Sequence, residues 1–303
     1  MRRGGVLCRF ACGFLASLVT TLFSLSRAVE AGDTPSLVSY GEGIVQTPRF
    51  RTWNGLAWAA ERSANSVGGT ANWVVLRAHP SRAEAILGVL DASGHLNAQV
   101  WDGDSWGSVL ELTTANAYSQ YRGFDIAYEQ SSGYAIIVYQ NNVNDPLYRT
   151  WNGTSWSAPS VLDLPASNIP VYIALASNPN SNEIVAMALD LGRDVTAAVW
   201  NGSSWGNTIT LETNATAYER EHIAIAYEYT SGRAMAMWGQ DGFDTPQYRL
   251  WNGTSWSTEG NAPSIGSNPT WIRLASNPSA NTIVMGASDW AVPWSALNRS
   301  SAS

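Results

Sequence analysis

One short motif, W-x-G-x-x-W, recurs five times along this chain. The copies begin at Trp53, Trp101, Trp151, Trp200 and Trp251, so their spacings are 48, 50, 49 and 51 residues. A regular period of this length is typical of proteins built from stacked or ringed structural repeats. The chain is therefore interpreted as an array of similar units rather than as unrelated domains.

Each copy of the motif predicts a β-hairpin. The Asn-Gly or Asp-Gly pair at its centre tolerates positive φ and makes a tight corner. The two Trp residues, five apart, then face each other across the hairpin, and such a pair contributes about 0.5–1 kcal/mol. The rest of a unit, as in residues 170–211, contains four short strands separated by turn signals.

Two kinds of unit alternate along the array. A units carry an aromatic residue and an arginine before the first Trp of the motif, with a proline five residues before that Trp. B units carry Leu-Ala-Ser-Asn-Pro, at 175–179 and 274–278, and their second strand ends in aspartate. The order A-B-A-B-A, followed by a B unit with a degenerate corner at 297–301, indicates duplication of a module of about 99 residues.

These patterns predict an all-β fold, a β-propeller of four-stranded blades with about 49–50 residues per blade. Four full blades fit residues 72–112, 123–162, 170–211 and 221–260. The first unit, 36–62, lacks its innermost strand, and the last unit, 270–303, lacks its outermost. Six blades from three A-B pairs are expected. Five blades, with the two ends sharing one, and a fragment of a larger ring stay open as alternatives.

The N-terminal segment has the features of a targeting signal. Arg2 and Arg3 precede an uncharged stretch at 10–25, and Val29-Glu30-Ala31 resembles a cleavage site. The stretch is shorter than the roughly 20 apolar residues that span a bilayer. We therefore predict a signal peptide over 1–31 and a single propeller domain over 32–303, secreted or periplasmic, with no membrane span in the mature chain.

Composition removes several classes of function. The net charge of the 303 residues is -7, so no basic field attracts nucleic acid. The sequence has no lysine, which excludes a lysine nucleophile or Schiff base. It has three scattered histidines and no Gly-x-Ser-x-Gly, so no cofactor or catalytic site is expected. Calcium at the polar corners 141–145 and 241–244 is the one metal alternative.

The W-x-G-x-x-W motif resembles half of a motif known from other propellers. Gly153 and Trp156 match the second half of the Asp-box of sialidase-like propellers, although Trp151 stands where that motif has aspartate. Across 36–303 the chain resembles secreted propellers of the tachylectin-like and fungal or bacterial fucose-lectin types, which also have Trp-rich hairpins and few cysteines. The resemblance implies ligand pockets between blades.

The residues expected at such pockets come from the A units. An arginine precedes each A-unit Trp by two residues, so both side chains share one strand face, and a glutamate follows a tyrosine on the first strand. The candidates are Arg51, Trp53, Arg149, Trp151, Arg249, Trp251, Glu129 and Glu228. A Trp ring packs on a pyranose while Arg or Glu binds its hydroxyls. Alternatively, the Trp residues fill space between blades, the arginines stack on them, and the glutamates pair with the arginines.

The sequence thus predicts a secreted, non-enzymatic protein that binds carbohydrate or another cell-surface ligand at clefts between blades. The first alternative is a scaffold for protein interaction or adhesion. The second is a propeller hydrolase, which requires unrepeated acids at one end of the channel. Asp125 and Asp194 are unrepeated, and the sequence does not pair them.

Overall fold

The computed structural model describes residues 36–43, 45–217 and 219–289. Within those ranges every regular element is a β-strand, and none of the described segments is a helix long and apolar enough to cross a membrane. The predicted signal peptide and the degenerate corner at 297–301 lie outside the described residues.

The strands of the described ranges form six antiparallel sheets that follow one another along the chain. The first contains β1 Ser36–Tyr40, β2 Arg49–Trp53 and β3 Arg62–Ser63. The second contains β4 Ala71–Ala78, β5 Ala85–Asp91, β6 Leu96–Trp101 and β7 Trp106–Thr113. The third contains β8 Phe124–Tyr128, β9 Ala135–Tyr139, β10 Leu147–Trp151 and β11 Ser160–Val161. The fourth contains β12 Pro170–Ser177, β13 Ile184–Asp190, β14 Val195–Trp200 and β15 Trp205–Glu212. The fifth contains β16 Ile223–Tyr227, β17 Ala234–Trp238, β18 Gln247–Trp251 and β19 Gly260–Asn261. The sixth contains β20 Trp271–Ser276 and β21 Ile283–Ser288.

Sheets two to five have four strands each in simple sequential order, which confirms the four predicted full blades. In the first sheet β1 pairs with β2 as β9 pairs with β10, so among the described residues it has no counterpart of β8. Sheets one, three and five arise from A units and are called A blades below. Sheets two, four and six arise from B units and are called B blades.

The first strands of successive sheets lie side by side, in the order β4, β8, β12, β16 and β20. Backbone hydrogen bonds join them: the amide of Ile173 donates to the carbonyl of Arg122, and that of Ile272 to Glu221, each at 3.2 Å. Sheets that radiate from a shared set of inner strands are the arrangement of a β-propeller. The core lies between blades, where apolar side chains of one sheet pack on those of the next.

The corner motif has the predicted hairpin geometry. Its five glycines have φ between 92° and 107°, where a side chain would be strained. In the third blade the Asn152 side-chain oxygen accepts the backbone N–H groups of Thr154 and Ser155 at 3.0 and 2.9 Å. The two Trp rings of each motif lie 5.3–5.5 Å apart, tilted by 49–57°. Each corner therefore fixes the register of its own strands.

Candidate functional site

Two kinds of contact alternate between blades. Where a B blade follows an A blade, the aromatic residue before the A-blade arginine packs on both Trp rings of the next corner. Tyr148 lies 5.8 Å from the ring of Trp200 and 6.0 Å from that of Trp205. Phe50 contacts the second-blade pair in the same way. These B-blade tryptophans fill the space between sheets.

Where an A blade follows a B blade, hydrogen bonds join the two sheets. The indole of Trp156 donates to the carbonyl of Ser108 at 3.1 Å, and that of Trp256 donates to Asn207 at 3.1 Å. Glu84 on the B blade accepts hydrogen bonds from Trp151 at 3.2 Å and from a tyrosine hydroxyl of the A blade. The A-blade tryptophans of the third and fifth blades are therefore built into an interface.

Glu129 and Glu228 lie away from the predicted arginines. Glu129 is buried and accepts the indole N–H of Trp200 at 2.6 Å, which ties the third blade to the fourth. Glu228 accepts two hydrogen bonds from Arg233, both at 2.8 Å. Burial raises the pKa of Glu228, but hydrogen bonds from Arg233 and Ser231 hold it below its usual range. Both glutamates thus have partners that the sequence analysis did not propose.

The three predicted arginines occupy equivalent places on β2, β10 and β18. Each lies on the same strand face as the Trp two residues later, as predicted. Arg149 donates to the carbonyl of Ser157 in its own hairpin at 2.8 Å. The Nε atoms of Arg149 and Arg249 are buried and have no hydrogen-bond partner among the described residues. Trp151 and Trp251 beside them are buried.

The first blade carries the same constellation in a more open form. Trp58, the second Trp of its corner, is 49% exposed and lies 5.5 Å from the half-buried ring of Trp53. Tyr40, Arg49, Arg51 and Trp53 share one sheet face. We call Tyr40, Arg49, Arg51, Trp53, Trp58 and Glu61 the first-blade face.

Hydrogen-bond donors and carboxylate acceptors meet on the first-blade face. The hydroxyl of Tyr40 donates to Glu61, and Arg49 Nε lies 3.3 Å from Glu42 and 3.9 Å from Glu61. Burial and the neighbouring Glu61 carboxylate raise the pKa of Tyr40, so it stays a hydroxyl donor at neutral pH. The sequence analysis missed Tyr40 and Glu61. The repeat pattern could have indicated Glu61, because Glu61 follows Arg51 by ten residues as Glu259 follows Arg249.

A second polar cluster lies at the inner strands. Arg122 Nε donates to Glu221 at 2.9 Å, and Arg273 donates to the other oxygen of Glu221 at 2.6 Å. Asp125 lies 3.5 Å from Arg122 and accepts a hydrogen bond from Arg77 at 2.8 Å. Burial raises the pKa of Glu221, but the two arginines outweigh it and hold that pKa below its usual range. Asp125, for which the sequence indicated no partner, is thus part of an ionic network that links four blades.

Other polar residues serve the turns. His79 accepts the backbone N–H groups of Ser81 and Arg82 through Nδ1, at 3.0 and 3.1 Å. Asp241, in one polar corner considered for calcium, pairs with Arg193 at 2.7 Å. Within the described ranges, no group of three or more His, Cys, Asp or Glu residues could hold a metal ion.

No protein-family model matches the sequence, and no curated protein matches it. Solved structures match its fold. The BP39L lectin from Burkholderia pseudomallei has a TM-score of 0.64 at 10% identity, over 84% of this chain and 75% of that one. The fold is that of a β-propeller. The six-bladed Aleuria aurantia lectin, whose structure describes fucose recognition, has a TM-score of 0.50 at 15% identity, over 89% and 92% of the two chains. A triple arginine-to-alanine mutant of AofleA from Arthrobotrys oligospora has a TM-score of 0.53 at 14% identity, over 85% and 77%.

These matches confirm the resemblance to fucose-lectin propellers at the level of the fold. They also agree with six blades rather than five, since the Aleuria protein is described as six-bladed. Identities of 10–15% carry the architecture only, so the ligand has to be argued from this chain's own side chains.

Proposed function

We propose that this protein is a non-enzymatic, lectin-like carbohydrate-binding protein that uses the Arg-Trp faces of its A blades at the clefts between blades. The observation that carries the proposal is the half-exposed Trp58, which lies on the ring of Trp53 and next to Ala59, whose carbonyl accepts a hydrogen bond from Arg51. An indole ring packs on the apolar face of a pyranose, while a guanidinium donates to sugar oxygens and a carboxylate accepts from hydroxyls. Two of the proteins that share its fold are lectins.

The proposal includes export. An arginine-flanked apolar segment followed by small residues precedes the propeller, as expected of a protein that meets glycans outside the cytoplasm or in the periplasm. Cell fractionation with N-terminal sequencing tests this part. Recovery of a mature chain that starts near residue 32 supports export, and an intact chain in the cytoplasm overturns it.

A glycan array tests the binding itself. We expect the exported protein to bind at least one neutral glycan, and Trp58→Ala to lose that binding. Leu56→Ala is the matched control, because Leu56 is more exposed on the same hairpin and lies outside the first-blade face. A folded protein, shown by its β-type circular dichroism, that binds no glycan overturns the proposal. Sugar-independent adhesion to cells would then favour the scaffold alternative.

A further inference from the structure

We infer that a cluster of charged side chains at the inner strands determines which blades pair, and so keeps one copy of the chain from exchanging blades with another. We call Arg77, Arg122, Asp125, Glu221 and Arg273 the inner network. Such a device has a use in this chain, because its repeats give each blade several possible partners of similar shape. Exchange of equivalent units between copies is a characteristic failure of repeat proteins.

Contacts that recur at equivalent junctions carry no information about blade order. Trp156 and Trp256 each donate to a carbonyl of the preceding B blade at 3.1 Å. The side-chain oxygens of Asn182 and Asn281 each accept two backbone N–H groups from the inner turn of the preceding A blade, at 2.8–3.0 Å. A blade taken from the wrong module would make each of these contacts equally well.

The A-blade members of the inner network differ in charge between the modules. Arg122 and Glu221 occupy the same repeat position, 99 residues apart, just before the inner strands of the third and fifth blades. Arg122 Nε donates to Glu221 at 2.9 Å, past the fourth blade that lies between them. Asp125 has the uncharged Ala224 as its counterpart. A charge in one module is therefore matched by the opposite charge, or by none, in the other.

Two B blades carry the complementary charges on their inner strands. Arg77 of the second blade donates to Asp125 of the third at 2.8 Å. Arg273 of the sixth blade donates to Glu221 of the fifth at 2.6 Å. The two arginines stand at different repeat positions of their strands, so each junction has a charge pair of its own.

The fourth blade carries no charge on its inner strand, Pro170–Ser177. It has alanine at the two positions that correspond to the arginines of the second and sixth blades, Ala176 and Ala174. The guanidinium of Arg122 passes these small side chains and donates to the carbonyl of Ile173 at 2.8 Å. The neutral blade is thus the one that the central ion pair bridges.

Wrong pairings would bring unfavourable charges together. If the third blade preceded the sixth, Arg122 would stand in the place of Glu221 and would face Arg273. If the fifth blade followed the second, Arg77 would face an alanine instead of its carboxylate acceptor. The side chains of Arg122 and Glu221 are only 13% and 8% exposed, so an unpaired or like charge costs more here than at the surface. The observed order is the one in which every member of the inner network is paired.

Replacement of the central pair by one apolar residue separates blade order from stability. In Arg122→Met/Glu221→Met the two modules become identical at this position. A buried ion pair exchanged for apolar side chains often leaves stability unchanged or raised, so we expect the urea midpoint not to fall. Refolding from urea, followed by size-exclusion chromatography with light scattering, should instead yield swapped oligomers. Their fraction should rise about twofold or more when the protein concentration rises about tenfold, whereas that of wild type should not change.

The matched control removes a contact that both modules share. Asn182→Ala/Asn281→Ala deletes the same turn contact in two blades and leaves the inner network intact. We expect a lower urea midpoint than that of wild type and no rise in oligomers with concentration. Near-ultraviolet circular dichroism, which reports the packed Trp corners, shows whether the oligomers contain native blades.

A second variant moves a charge instead of removing one. Asp125→Ala/Ala224→Asp transfers the acceptor of Arg77 from the third blade to the fifth, and we expect more swapped oligomer than in Asp125→Ala at the same concentration. Equal oligomer fractions in these two variants overturn the inference. So does a methionine pair that refolds like wild type, or an asparagine control that swaps as readily as the methionine pair. None of these measurements involves a glycan, so their outcome is independent of the proposed function.

Discussion

Acid should weaken this propeller through one buried histidine. His222 precedes the inner strand of the fifth blade, is fully buried, and lies 2.8 Å through Nε2 from the carbonyl of Thr216. Its Nδ1 faces the amide N–H of Gly239 at 3.4 Å, an arrangement that suits a neutral ring. Burial is the main reason that the pKa of His222 falls from 6.5 to about 4, and Arg193 adds to the fall.

The sign and size of the effect follow from that shift. Between pH 6.5 and pH 4 the unfolded chain binds a proton that the folded chain refuses, so the free energy of unfolding falls as the pH falls through this window. One pKa unit corresponds to about 1.4 kcal/mol. The shift of about 2.5 units, from 6.5 to about 4, therefore costs about 3 kcal/mol of stability by pH 4, and the loss levels off below that.

The perturbation that isolates the effect is His222→Gln. Its amide can donate to Thr216 and accept from Gly239, and it does not titrate. Urea unfolding followed by circular dichroism at pH 7 and pH 4 gives the change in unfolding free energy for each protein. We expect wild type to lose about 3 kcal/mol more than the variant over that interval.

A comparison of losses cancels every group that both proteins share, including the other buried histidine, His79. If wild type and variant lose the same stability between pH 7 and pH 4, His222 is not held neutral by burial, and the reasoning is wrong.

Two further changes test the inner network and the corners. Glu221→Gln leaves the largely buried guanidinium of Arg122 without its nearest counter-charge, and we expect urea unfolding to show a loss of about 3 kcal/mol. A loss below about 1 kcal/mol would contradict a largely buried pair in which each charge depends on the other. Gly253→Ala should cost about 1–2 kcal/mol in the same assay, because Gly253 has a φ of 95° with open space around it, so the cost is conformational alone. Gly206→Ala, also in open space and without positive φ, is its control and should leave stability unchanged or slightly raised.

The fold was accessible from the sequence because its signals are local. The Asn-Gly corner at 152–153 and the Trp pair around it determine their hairpin within six residues, and the same pattern returns in each unit. The strand order within a blade follows from short turns. Repetition then supplied the number of sheets, since each unit builds one.

The contacts between blades were not accessible in the same way. Glu129 was expected near a ligand or an A-unit arginine, and it binds Trp200, 71 residues away and on the next blade. Arg122 and Glu221 meet across 99 residues. A signal for that pair did exist, because they hold the same position in the two modules with opposite charge.

The alternation of blade faces has a consequence for how such a protein can change in length. Tyr148 belongs against a B-blade corner, and Glu84 belongs against an A-blade corner. Removal or insertion of one unit would bring two faces of the same kind together and leave both without their partners. Viable descendants of this gene should therefore differ by pairs of units. An even number of units should persist even where the sequence has diverged.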